Sequence, residues 1–89
     1  MSPQDFTFKL SVPNDPAGAE VVAVVARHAV EYATIDADKG AAFVDRARAA
    51  ATTAMTGSTA SHCQAIFAAA EGRLTMTMGG QTVSEALPA

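Results

Sequence analysis

The sequence predicts a two-layer α+β sandwich, with two helices packed on a mostly antiparallel sheet in the order β-α-α-β-β. Three observations carry that expectation. Phe6, Phe8, Leu10 and Val12 alternate with Thr7, Lys9 and Ser11, the period of two that marks a strand with one buried face. Between Pro16 and Met55 the apolar residues recur instead at helical spacing. Gln64 to Ala70 and Arg73 to Met78 then flank Glu71-Gly72, a two-residue link with glycine where positive φ is easiest, as in a β-hairpin.

Taken in order, the first strand ends at Pro13-Asn14-Asp15-Pro16. This run supplies a breaker, an N-cap candidate in Asp15, and a proline at the first helical position, where a missing N–H does no harm. In the helix that follows, ending near Thr34, Val21, Val22, Val25, Ala29 and Tyr32 form the apolar stripe, and Glu20, Arg27 and Glu31 the charged side. Ile35 to Asp38 is a short connection with an aspartate placed to cap the second helix, predicted from Ala37 to Met55 and stopped by Gly57. Its inner stripe runs from Gly40 through Phe43, Ala47, Ala50 and Ala54 to Met55. Thr56 to Ser61 is a loop of turn formers. In the hairpin, Leu74, Met76 and Met78 supply the inner face. Gly79-Gly80 ends it, and Gln81 to Ala89 is expected as either a short edge strand or a frayed tail.

The 89 residues are expected to form a single domain, burying about 60 to 65% of the surface the unfolded chain exposes. Hydrophobic residues make up 49% of the chain but are dominated by alanine, and aromatics are only 6%, so large apolar side chains are few. A net charge of -3 with six scattered basic residues argues against a nucleic-acid partner. No run approaches the roughly 20 apolar residues of a membrane span, and the polar start from Met1 to Asp5 does not read as a secretion signal. Cys63 is the single cysteine, which excludes an internal disulfide and fits a reducing compartment, so the cytoplasm is expected.

Chemistry-bearing residues are sparse. His62-Cys63 is the one place where a nucleophile adjoins a base, but neighbours on a strand point to opposite faces, so Cys63 reads as a small hydrophobe and His62 as a rim residue. His28, on the border of the first helix's apolar stripe, reads as a half-buried, hydrogen-bonded histidine, because two histidines and one cysteine lack zinc spacing. Asp36, Asp38 and Glu71 read as cap and turn residues. Gly79-Gly80 lacks the lysine and helix start of a phosphate loop. No catalytic residue, metal site or cofactor is expected. Val24 and Val30 lie near the charged side of the first helix and form a candidate self-association or partner surface.

The run Phe6-Thr-Phe-Lys-Leu-Ser-Val-Pro-Asn-Asp-Pro, the two helices and the Ile66 to Met78 hairpin together resemble the histidine-kinase-like ATPase domains of bacterial anti-sigma factors. The resemblance covers most of this chain but only the front of that family's domain. It implies that the magnesium-binding glutamate and asparagine of the second helix correspond to Ala50 and Ala54. The adenine-reading aspartate-x-glycine motif would fall near Met78-Gly79-Gly80, without its aspartate. On that resemblance the chain is a degenerate, truncated scaffold that has lost ATP.

The function expected is therefore a non-enzymatic regulatory protein-interaction domain, partnered by a sigma factor, an antagonist or a signalling protein. A small-molecule sensor is the alternative, with Ala50, Ala54, Met76 and Met78 lining a vestigial pocket between the second helix and the sheet. A thin core further predicts a homodimer, formed through Val24 and Val30 or through an exposed strand edge.

Overall fold

The chain runs β1 (Phe6–Pro13), α1 (Pro16–Tyr32), α2 (Ala37–Thr56), β2 (His62–Ala70), β3 (Arg73–Met78) and β4 (Gln81–Ala86). The computed structural model describes residues 5–88. Most of the polar start read above, residues 1–4, and the last residue of the tail, Ala89, lie outside the described residues. An α+β fold with helices on one face of the sheet is what the alternations specify. The last segment is a strand, the first of the two outcomes expected for it.

Helix α1 starts as its sequence dictates. Asp15 is the N-cap, its Oδ1 accepting the Gly18 N–H at 3.1 Å, and Pro16 occupies the first turn. Its end is less conventional. The Thr34 N–H donates to the Glu31 carbonyl and the Ile35 N–H to the Val30 carbonyl, both at 3.1 Å, which is the paired closure of a Schellman motif. That motif needs a left-handed residue after the cap. Here the position is held by Thr34 at φ 58°, a β-branched residue where glycine is usual. Helix α2 begins at Asp36 with no side-chain cap bond, contrary to expectation. The Asp36 carbonyl accepts the Gly40 N–H at 2.7 Å, the first bond of the helix.

Gly40 sets the distance between the helices, because a Cβ there would run into Val30 Cγ1. Val30 accordingly lies only 7% exposed beneath α2. It therefore cannot belong to a surface patch with Val24, which is 49% exposed. The expectation failed because Val30 sits on the flank of α1 that meets α2, where small neighbours let a branched side chain sink in.

All strand pairs are antiparallel, in the order β1-β2-β3-β4. Glu71 (φ 55°) and Gly72 (φ 77°) both take left-handed backbone, as a two-residue turn twisted to match its strands requires. Gly79, also left-handed, opens the equivalent link to β4. The inner face of the sheet joins α1 and α2 in one apolar cluster, with Phe43, Phe67, Leu74, Met76 and Met78 fully buried.

Candidate functional site

Which backbone groups the two outer strands leave open follows from two hydrogen bonds. The Asn14 N–H donates to the Ser61 carbonyl at 2.9 Å, continuing the β1–β2 register. Bonded pairs alternate along an antiparallel ladder. Even-numbered residues of β1 therefore bond to β2, and the N–H and C=O groups of Thr7, Lys9 and Ser11 point outward. At the other edge the Leu87 N–H donates to the Gly72 carbonyl at 2.9 Å, in register with β3–β4. Thus the even-numbered residues of β4 point outward.

The two edges are finished differently. On β4, Arg46 of α2 donates through Nη2 to the outward Ser84 carbonyl at 3.0 Å and lies 3.3 Å from Glu85 Oε1. Glu85 in turn accepts the outward Ala86 N–H at 3.1 Å, and Pro88 follows at a position that needs no donor. Two outward groups near the end of β4 are thus taken up, which hinders strand addition there, while among the described residues the outward groups of Thr82 and the Ser84 N–H stay open. On β1, among the described residues, no side chain or loop bonds to Thr7, Lys9 or Ser11 backbone. Pro13 lacks its N–H on that same open side.

Beside the open edge lies apolar surface. Phe6, Phe8 and Leu10 share the inner face with the buried Ala65, Phe67 and Ala69 that they oppose, yet Phe8 is 38% exposed. The helical layer stops short of it. The Phe8 ring stacks on Phe67 at 5.3 Å and Phe6 on Phe8 at 5.7 Å, while Phe6 meets the edge of Tyr32 at 5.3 Å. Between these rings and the Val25, His28 and Ala29 side of α1 runs an open cleft of about 580 Å³. Val21 and Tyr32, expected in the buried stripe, are instead 40% and 59% exposed. Apolar residues cover a wider arc of α1 than the sheet beneath it can bury. The acidic and basic side chains of α1, Glu20, Arg27 and Glu31, lie on the other flank, so no carboxylate or guanidinium of the helix faces this cleft.

The other candidate residues are not brought together. Ala50, Met76 and Met78 belong to the buried cluster and Ala54 packs against it, so the pocket expected between α2 and the sheet is filled by its own lining. Cys63 points inward, half-buried against the core, while His62 follows the opposite parity and is exposed, with Nδ1 3.3 Å from Ser61 Oγ. Both border a shallow cleft near Ala54 and Gly79, but no hydrogen bond joins them. His28 is exposed and makes no hydrogen bond among the described residues, correcting the half-buried, hydrogen-bonded reading. Arg48 Nε lies 3.2 Å from Glu20 Oε1 without the alignment of a hydrogen bond, so the contact is Coulombic. Among the described residues, no helix is long and apolar enough to cross a membrane. Compared with protein-family models, curated proteins and solved structures, the chain finds no match.

The sequence reading missed Phe6, Phe8, Val21, Val25 and Tyr32 as a group. A signal existed in the breadth of the apolar arc on α1. The open edge itself became legible only with strand order.

Proposed function

We propose that this chain is a non-enzymatic regulatory domain that acts by binding protein, docking through the open β1 edge and the apolar cleft beside it. The observation that carries this reading is the contrast between a β4 edge partly taken up by Arg46 and Glu85 and a β1 edge left open next to exposed Phe8 and Tyr32. Unpaired strand groups next to an apolar groove that no carboxylate or guanidinium of α1 faces suit an added β-strand, whose backbone supplies affinity and whose alternate side chains enter the cleft. The resemblance to anti-sigma ATPase domains suggests a cytoplasmic setting and a partner drawn from sigma factors, their antagonists or signalling proteins. The small-molecule alternative loses its basis, since Ala50, Met76 and Met78 fill the space that a ligand would need.

Site-specific photo-crosslinking in the native host tests the surface. A crosslinker at Phe8 is expected to give protein adducts, and one at Thr53, on the exposed side of α2, to give none. Equal labelling from both positions would defeat the assignment. Calorimetry with Mg-ATP separately tests the loss of nucleotide binding. No saturable heat is expected, and a micromolar isotherm would defeat the claim that nucleotide binding is lost.

A further inference from the structure

The β1 edge is built to accept one strand in particular. We propose that its occupant is β1 of a second copy of this chain, antiparallel about a twofold axis through Phe8, so that two four-stranded sheets join into one of eight. This deepens the docking surface proposed above and rests on it, the second copy and a regulatory partner competing for the one edge.

The register follows from parity and charge. Because only odd-numbered residues of β1 point outward, a second β1 must match odd to odd. Directly opposed residues share a face of the sheet, so this pairing also places both helical layers on the same side. Three axes satisfy it while engaging much of the strand. An axis at Lys9 sets that residue against its own copy, and like charges directly opposite are destabilising. An axis at Leu10 leaves Thr7 opposite the copy's Pro13, which has no N–H to give, and Phe8 opposite Val12, which its own fold already buries. An axis at Phe8 pairs Thr7 with the copy's Lys9 and Asp5 with the copy's Ser11, so every outward residue from Asp5 to Ser11 is matched and no like charges meet. On the inner face it brings Phe8 against Phe8 and Phe6 against Leu10. Of these side chains Phe8 is exposed and Phe6 and Leu10 are half-buried, and Tyr32 of each α1, in contact with Phe6, then lies beside the same seam.

Two measurements test the proposal. In light scattering during gel filtration, the wild-type mass is expected to fall from two chains to one across a hundredfold dilution. Lys9→Pro removes an outward N–H without touching the β1–β2 ladder, as proline tolerates at an edge. It is expected to weaken the dimer at least about tenfold while leaving the far-ultraviolet circular dichroism of the fold. The register is read by single cysteines in a Cys63→Ala background. At the axis the opposed Cα atoms lie about 4.5 Å apart, within disulfide reach. Oxidation should therefore link Phe8→Cys chains and leave Thr7→Cys and Lys9→Cys chains unlinked.

A one-chain mass at every concentration overturns the proposal, as does a dimer that links through Thr7→Cys or Lys9→Cys instead. If the second copy fails in this way while a crosslinker at Phe8 still captures another polypeptide, the docking surface stands with a different occupant. If both fail, the surface falls too.

Discussion

Phe8 and Phe67 stand directly opposite each other in the β1–β2 register, on the same face of the same sheet, with rings stacked at 5.3 Å. Their surroundings differ completely. Phe67 is fully buried beneath the helices, whereas more than a third of Phe8 is open to solvent. One strand's displacement thus separates a residue that holds the fold together from one that the fold merely presents. The same asymmetry appears at the sheet's two ends, where Arg46 of α2 and the strand's own Glu85 take up two outward groups of β4 while β1 has no such bonds among the described residues. Two helices are too narrow a layer for four strands, and in this molecule the deficit is largest at Phe8 on β1.

The largest effect should come from truncating each phenylalanine in turn. Phe67→Ala is expected to remove about 4 kcal/mol of stability, the range for a large buried aromatic. Phe8→Ala should remove only about 1 kcal/mol in the monomer, since much of its surface is never buried. Urea unfolding at low protein concentration measures both. Equal losses would mean that β1 is covered as well as β2 and that no open face exists.

A second substitution asks why the helical layer sits where it does. Val30 of α1 nests against Gly40 of α2, and a methyl at position 40 has nowhere to go without moving that valine. Gly40→Ala should lower stability by about 2 kcal/mol, as overpacking of a tight contact does, despite alanine's better helix propensity. If α1 relieves the clash by sliding toward β1, backbone amides around Phe8 will exchange more slowly with solvent. A stabilised Gly40→Ala protein would show that the seam does not hold α1 away from β1.

Much of this was legible in the residues, and the parts that were not share a cause. The hairpin at Glu71-Gly72, the cap at Asp15 and the inward stripe of α2 depend on near neighbours, so local pattern revealed them. Val30, Tyr32 and Phe8 depend on where another element stops. Val30 lies deeper than expected because Gly40 admits it, and Tyr32 lies more exposed because only Phe6, at the start of the edge strand, reaches it. The same holds for the Arg46–Glu85 closure, which joins residues far apart in sequence. Reading α1 as a charged side and an apolar side was correct as chemistry, yet it concealed that the apolar side faces two things, the core and an uncovered strand.

Thr34 offers a smaller effect in the opposite direction. Its left-handed backbone is strained for a β-branched residue, and Thr34→Gly is expected to stabilise the fold by about 1 kcal/mol. The gain is partly offset by the greater freedom of glycine in the unfolded chain. Glycine also leaves the two closing hydrogen bonds intact, because they involve backbone only. A raised denaturation midpoint with an unchanged urea slope checks this. Because the site lies at the α1–α2 corner, the dimer should be unaffected, so the variant separates stability from docking.

The smallest expected change in stability is also the sharpest probe of the two edges. Arg46 is half exposed, and its ion pair with Glu85 spans 3.3 Å at the surface, so Arg46→Ala should lower stability by only about 0.5 kcal/mol. For a chain of this size that is about 2 to 4 °C in melting temperature. Its consequence for association should be larger. Without the guanidinium, the Ser84 carbonyl is free and Glu85 keeps only the bond from the Ala86 N–H, so β4 becomes a second edge better able to pair. The test belongs in the Lys9→Pro background, where β1 is already blocked. There the parent should remain monomeric, and the added Arg46→Ala should restore concentration-dependent association in light scattering. Raised salt should reproduce part of the effect in the parent, because it screens the Arg46–Glu85 pair. If the double variant stays monomeric up to millimolar concentration, the arginine is not what seals β4. The contrast between the edges would then rest on Phe8 and its neighbours alone.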